Sequence, residues 1–263
     1  MGTSTNYAGS PNWSPAKNET TRVGGEGYVT PQKAASIVSG FVDQMARAPQ
    51  LGFGAPLSSQ GGGSAAGAGG GGGGRGGTHR IGGSVRTVAR GIGGFLADVG
   101  AKGFREALAE RGLTDLSGKS PDEIVLALAD LLGGPASLIE QTAMRDALMA
   151  LMLTWSEDVK GIDGLVESVT SVAQNIEGAL HDFFGHYILE VFKTVGYQGV
   201  LANHGFEKAE SMAGQIRDFI TAKIDGLQSS RALSSVDWNG ASGAAIVDGI
   251  VADTISIFGE AKP

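Results

Sequence analysis

No cysteine occurs in the 263 residues, so disulfides, thiol catalysis and the thiolate ligands of most structural zinc sites are excluded. Histidine is scarce too. His181 and His186 stand five apart and face different sides of a helix, His79 and His204 are isolated, and no His-Glu-x-x-His or Glu-x-x-His pair occurs, so no metal and no cofactor is expected. The long glycine run lacks the Gly-Lys-Ser/Thr ending of a phosphate loop, continuing instead Gly74-Arg75-Gly76-Gly77-Thr78, and reads as a linker. Long apolar runs are missing as well. The stretch 143–155 is interrupted by Arg145 and Asp146, and the start of the chain carries no apolar signal-like segment. Neither a transmembrane helix nor export is expected, and the location expected is the cytoplasm. Neither paired carboxylates nor a nucleophile–base motif emerges, which argues against an enzyme.

What is abundant is glycine. Its 44 residues are over twice the usual share and crowd into the first half, dividing a Gly-rich front from a chain rich enough in apolar residues to fold. Residues 1–29 hold only isolated aromatics (Tyr7, Trp13, Tyr28) and predict a disordered tail. Thr30-Pro31 followed by Ile37, Val38, Phe41, Val42 and Met45 predicts one short helix over 30–47, and 48–80 predicts a flexible linker. From 81 to 263 the periods are helical throughout. Ser120-Pro121-Asp122-Glu123 and Ser137-Leu138-Ile139-Glu140 fit the capping box. Apolar stripes run through Ile124, Leu128, Leu131 and Leu132; through Met144, Leu148, Leu151, Met152 and Trp155; and from Ile162 to Val195 as one helix or as two broken near Gly178 or Gly185. Phe206 to Leu227 and Ile246 to Phe258 continue them. The expected fold is all-α, a helical bundle behind a disordered Gly-rich region with one short helix.

Charge is unevenly spread. The chain carries a net −7, with eight Lys/Arg against seventeen Asp/Glu from Leu131 onward, which argues against wholesale nucleic-acid binding. Arg80, Arg86 and Arg90 belong to a basic stretch in which Asp98 is the first acidic residue. They are candidates for contacting a partner or nucleic acid, or for docking on the chain's own acidic helices. Removal of Met1 would leave the α-amine of Gly2, a nucleophile with pKa near ~8. The sixth residue is Asn6, where a myristoylation signal asks for Ser or Thr, so stable membrane association is not expected.

The Met1-Gly2-Thr3-Ser4 opening, the Gly/Pro/Ser-rich tail, Gly82-Gly83-Ser84-Val85-Arg86, and Leu113-Thr114-Asp115-Leu116-Ser117-Gly118-Lys119-Ser120-Pro121-Asp122-Glu123-Ile124 together resemble the QatB family. These are accessory proteins of bacterial Qat anti-phage defence systems, encoded beside an ATPase, a QueC-like enzyme and a TatD-like nuclease. Where family members often carry a Pro-Leu-Val-Pro-like element, this chain has Ser10-Pro11-Asn12-Trp13-Ser14-Pro15. The resemblance implies a non-enzymatic substrate or adaptor whose Gly2 accepts a deazaguanine-type base from the QueC-like partner, with Thr3 and Ser4 recognised beside it. The alternatives are a purely structural adaptor for the ATPase and nuclease, and a membrane-active helical protein using the segment from Ala244 to Phe258.

Overall fold

The computed structural model describes residues 12–47, 83–116, 118–133, 139–227, 231 and 233–259. Among them the fold is all-α, with no strand. In chain order the helices are α1 (Ser14–Gly24), α2 (Pro31–Arg47), α3 (Gly83–Lys102), α4 (Phe104–Ala109), α5 (Pro121–Gly133), α6 (Ile139–Ser156), α7 (Gly161–Ala173) and α8 (Ile176–Phe192). A π-helical turn (Lys193–Tyr197) then leads to α9 (Gln198–His204), α10 (Phe206–Asp225) and α11 (Ala241–Gly259).

Helix α8 is the axis, with fourteen of its seventeen residues buried. Leu180, Phe183, Phe184, Tyr187, Ile188, Val191 and Phe192 are all buried, and α2, α3, α6, α7, α10 and α11 pack around them. A helix buried on most of its circumference is stable only when surrounded. The long apolar period breaks before Gly178. Asn175 leaves the helical region, and its side-chain oxygen accepts from the Gly178 N–H at 3.0 Å. A Cβ on residue 178 would stand 2.4 Å from the Asn175 amide nitrogen, so the cap and the glycine require each other.

Two polar links cross the core. Thr254 donates to the Ile250 carbonyl at 2.8 Å and so accepts from His181 Nδ1 at 3.0 Å. Glu177, 3% exposed, receives the Arg231 backbone N–H and its guanidinium, both at 2.8 Å. A buried carboxylate with two such donors is satisfied rather than stranded.

The front of the chain departs from expectation. Within the stretch expected to be a disordered tail, residues 14–24 form α1, and α1 and α2 lie against α8, the π turn, α9, α10 and α11. Trp13 meets Phe41, and Phe41 meets Phe192 edge-on, each pair 5.8 Å between centroids. The π turn makes room for this. A Cβ at Gly196 would come 2.9 Å from the Phe41 ring. Glycines also let α1 touch α9, since a Cβ at Gly24 would fall 2.7 Å from Val200 and one at Gly199 2.7 Å from the Thr21 hydroxyl. His204 Nε2 then donates to the Thr21 carbonyl at 2.8 Å, and Lys208 to that of Gly25 at 2.9 Å. The expected tail 1–29 therefore holds a helix from residue 14. Its first eleven residues, and 48–82 with the expected linker, lie outside the described residues.

Two stripe positions also differ. Leu131 is 46% and Phe206 65% exposed. In α5 the buried face runs through Ile124, Val125, Leu128 and Ala129, which turns Leu131 outward. Phe206 is the first residue of α10, and a side chain there leans back beyond the helix end, where no neighbouring turn covers it.

Candidate functional site

Of the segment marked out in the sequence, Leu113, Thr114, Asp115, Leu116, Gly118 and Lys119 line one wall of a cleft. Its geometry begins at the end of α4, where Gly112 adopts a left-handed φ of 83° and the Leu113 N–H returns to the Leu108 carbonyl at 3.0 Å. That closure satisfies helix-end carbonyls and reverses the chain. Arg111 pins the turn, donating to the Ala107 carbonyl at 2.8 Å and to Asp98 at 2.7 Å, with its guanidinium 5.2 Å from the Phe95 ring centroid. Partial burial opposes ionisation of Asp98, but hydrogen bonds from Arg111 and Lys102 hold its carboxyl below the usual range.

At the far end of the wall Gly118, φ 71°, lets the chain turn into α5. There the capping box is realised: Ser120 N–H donates to Glu123 Oε2 at 2.7 Å and Glu123 N–H to Ser120 Oγ at 3.2 Å. Hydrogen bonds from the Ser120 backbone and hydroxyl, then the nearby Lys119 charge, hold the Glu123 carboxyl below its ordinary value. The other expected box, Ser137 to Glu140, includes Ser137 outside the described residues.

Between this wall and the start of α7 lies a space of about 500 Å³. Its floor is Leu113, Leu116 and Ile162, half-buried and packed on the core. Arg105 of α4 and Lys119 form its cationic parts, and Thr114 and Asp115 bring a hydroxyl and a carboxylate. Arg105 reaches Asp163 of α7 at 3.1 Å, both side chains being mostly exposed. Lys119 makes no ion pair among the described residues. Nothing in the sequence alone brought Arg105 and Ile162 to this wall, since both lie outside the Leu113–Ile124 segment.

The residues singled out by sequence lie elsewhere. Gly2, Thr3, Ser4 and Arg80 are outside the described residues. Arg86 and Arg90 are four apart on α3, but Arg86 is turned inward, 20% exposed, with Nη2 3.0 Å from Asp248 of α11. Its Nε is buried with no acceptor among the described residues. Arg90, half-buried, makes no ion pair among them. Of the alternatives for this basic stretch, docking on an acidic residue of the chain itself is the one Arg86 follows. His181 and His204 are engaged by Thr254 and by the Thr21 carbonyl, and His79 is outside the described residues. Among the described residues no group of three or more His, Asp or Glu is arranged to hold a metal.

Helix α11 is long and apolar enough over Ala241–Phe258 to cross a membrane by length and composition. Its large side chains, Val247, Ile250, Val251, Ile255 and Phe258, are buried in the core, while Ala245, Asp248, Ala252 and Ser256 face outward.

In comparison with known proteins, residues 72–258 match the model of the family described as Qat anti-phage system associated protein QatB. That span is over two thirds of the chain and includes every helix from α3 to α11 except the last residue of α11. No curated protein and no solved structure matches.

Proposed function

Given that the chain belongs to the QatB family of the Qat anti-phage system, we propose that it serves defence as a protein substrate and adaptor, in the cytoplasm, with the α-amine of Gly2 as acceptor. Membership in that family is the observation that carries the reading, joined to the small, uncharged opening Gly2-Thr3-Ser4. A glycine amine flanked by small side chains can approach an activated acyl group closely, so that positioning by a partner supplies most of the rate. The partner is a QueC-like enzyme that activates the carboxylate of a deazaguanine-type base. The amine attacks the activated carbonyl, an amide forms, and the activating group leaves with the electron pair.

The docked front helices bound how far such a terminus extends from the body. With Asn12 placed beside α1, ten residues at full extension allow Gly2 to reach at most about 35 Å from it. The test is intact mass spectrometry of the protein co-expressed with the neighbouring system components, followed by peptide mapping. A partner-dependent mass increase on Gly2 is expected. Full phage protection by a protein whose N-terminus is blocked overturns the acceptor role and leaves the structural adaptor for the ATPase and nuclease.

A further inference from the structure

Helices α1 and α2 are held on the body by different means. In α2, Ile37, Val38, Phe41, Val42 and Met45 are all buried. In α1 the buried residues are Ala16, Thr20, Val23 and Gly24, of which only Val23 removes a sizeable apolar group from water. Trp13 adds one tilted ring contact to Phe41. The His204 ring and the exposed Lys208 ammonium donate to the Thr21 and Gly25 carbonyls, and Arg22 pairs with Glu19 and Glu26 along the outer side, where such pairs contribute little. The N-cap, Trp13, supplies no side-chain bond, and the first turn holds no acidic residue. With eleven residues, α1 is shorter than the ~12–15 at which a helix begins to hold itself in water. Leaving the body and losing the helix are therefore one event.

The chain between the two helices is built to turn. Gly24, Gly25 and Gly27 follow closely on one another, and Glu26, Gly27 and Tyr28 are exposed. Gly27 holds a φ of 81°, and a Cβ on it would meet only Lys208 Cε, at 4.0 Å. The chain is pinned again at Val29, which is buried and donates its N–H to Gln215 Oε1 at 2.6 Å. Small residues ahead of a fixed point absorb the change in backbone angles that a swinging element requires.

We propose that α1 is a releasable clasp: residues 12–24 leave the body as a unit, turning about Gly24 to Gly27 while α2 and the helices behind it stay folded, and this opening sets the reach of the N-terminus. Closed, the chain ahead of Asn12 gives Gly2 about 35 Å; open, the chain ahead of Val29 gives it roughly 95 Å. A partner that grips residues within 12–24 binds the open form alone and draws the equilibrium toward it. The opening is independent of any chemistry at Gly2, whereas its consequence for modification rests on Gly2 being the acceptor.

Hydrogen exchange on the full-length protein reads the opening directly. Amides of residues 17–24 are expected to exchange about a hundredfold or more faster than those of α8, and Val23→Ser should speed them further with α8 unchanged. Exchange as slow as that of α8, or a rise in both together, means that α1 opens only when the whole molecule unfolds and overturns the proposal. The absence of cysteine permits a clean lock. A Cβ at Gly24 would lie 3.3 Å from that of Val200, close to the separation of about 3.5–4.5 Å that a disulfide spans, so Gly24→Cys with Val200→Cys should fasten α1 on oxidation. Thr21→Cys with Gly199→Cys provides a second lock, and each reduced form is its own control for folding. Mass gain at Gly2 in the presence of the QueC-like partner should slow about tenfold or more in the oxidised forms, which lack the open population, and recover on reduction. Equal rates in the two redox states mean that the clasp does not govern the terminus, and overturn the proposal as well. Absence of mass gain in the unsubstituted protein instead removes Gly2 as acceptor and leaves the clasp to be decided by the exchange result.

Discussion

Arg86 and Arg90 occupy neighbouring turns of α3, yet their surroundings give the same substitution opposite consequences. Arg86→Glu would set a carboxylate against the half-exposed Asp248, now 3.0 Å from the guanidinium, and should cost about 1–2 kcal/mol, as expected when a charged hydrogen bond from a mostly buried Arg is replaced by repulsion. Arg90→Glu breaks no ion pair among the described residues and should stay within about 0.5 kcal/mol. Urea unfolding of the two variants checks this, and equal values would mean that the Arg86 pair does not persist in solution. Protonation offers a second test at this scale. Lost hydration, with the Asp225 charge adding to it, pushes the Asp182 carboxyl up from 3.8 to about 6. The folded state then holds this proton more tightly than the unfolded chain, so the associated stability is present at the acid end and is lost as pH rises through about 6. Asp182→Asn should raise the melting temperature near pH 8 and leave it nearly unchanged near pH 4. His181 runs the other way. Burial, against the pull of Glu177 and Asp253, lowers its pKa from 6.5, so its contribution is present above that value and drains away as pH falls below it.

At the scale of elements, glycine distinguishes close packing from mere permissiveness. A Cβ at Gly93 in the middle of α3 would stand 2.4 Å from the buried Trp238 ring, whereas one at Gly100, in the last turn, would meet nothing within 4 Å. Gly93→Ala is therefore expected to lose about 1–3 kcal/mol through overpacking, while Gly100→Ala should be neutral or gain up to about 1 kcal/mol from helix propensity. Thermal unfolding of the pair reads the contrast, and a stabilising Gly93→Ala would show that Trp238 does not pack there. What the sequence made legible follows the same division. The Ser120–Glu123 box and the stripes of α6 and α8 were readable because large side chains repeat on one face. Helix α1 was not, because its buried positions include Ala16, Thr20 and Gly24, small groups that carry no apolar signal until a close neighbour makes them contacts. The π turn was equally silent: Gly196 shows its purpose only when Phe41 arrives from α2. In the cleft, the Leu113–Ile124 wall stood out in the sequence, but Arg105 and Ile162 join it through the packing of α4 and α7.

For the molecule as a whole, the question is how its terminus is connected to its body. A chain with eighty loose residues in front would present Gly2 far from the helices, and cutting anywhere in that stretch would leave stability untouched. The docked α1–α2 pair gives a different expectation for two cuts. Removing residues 2–11 keeps the contacts that Trp13, Ala16 and Val23 make with the described residues, so the melting temperature should hold within about 1 °C while partner-dependent modification and defence are lost with Gly2. Removing residues 2–29 also takes away α1, uncovering Val200 and one side of Phe41. With roughly 2–4 °C per kcal/mol for a chain of this size, and Val23 alone contributing about 1.5–3 kcal/mol of burial, the longer cut should lower melting by about 5 °C or more. Differential scanning calorimetry paired with a phage-protection assay separates the outcomes. Identical melting of the two truncations would mean that α1 is not held on the body in solution and that the reach of Gly2 is not limited by it. Retained protection by the shorter truncation would remove Gly2 as the acceptor, whatever the melting curves show.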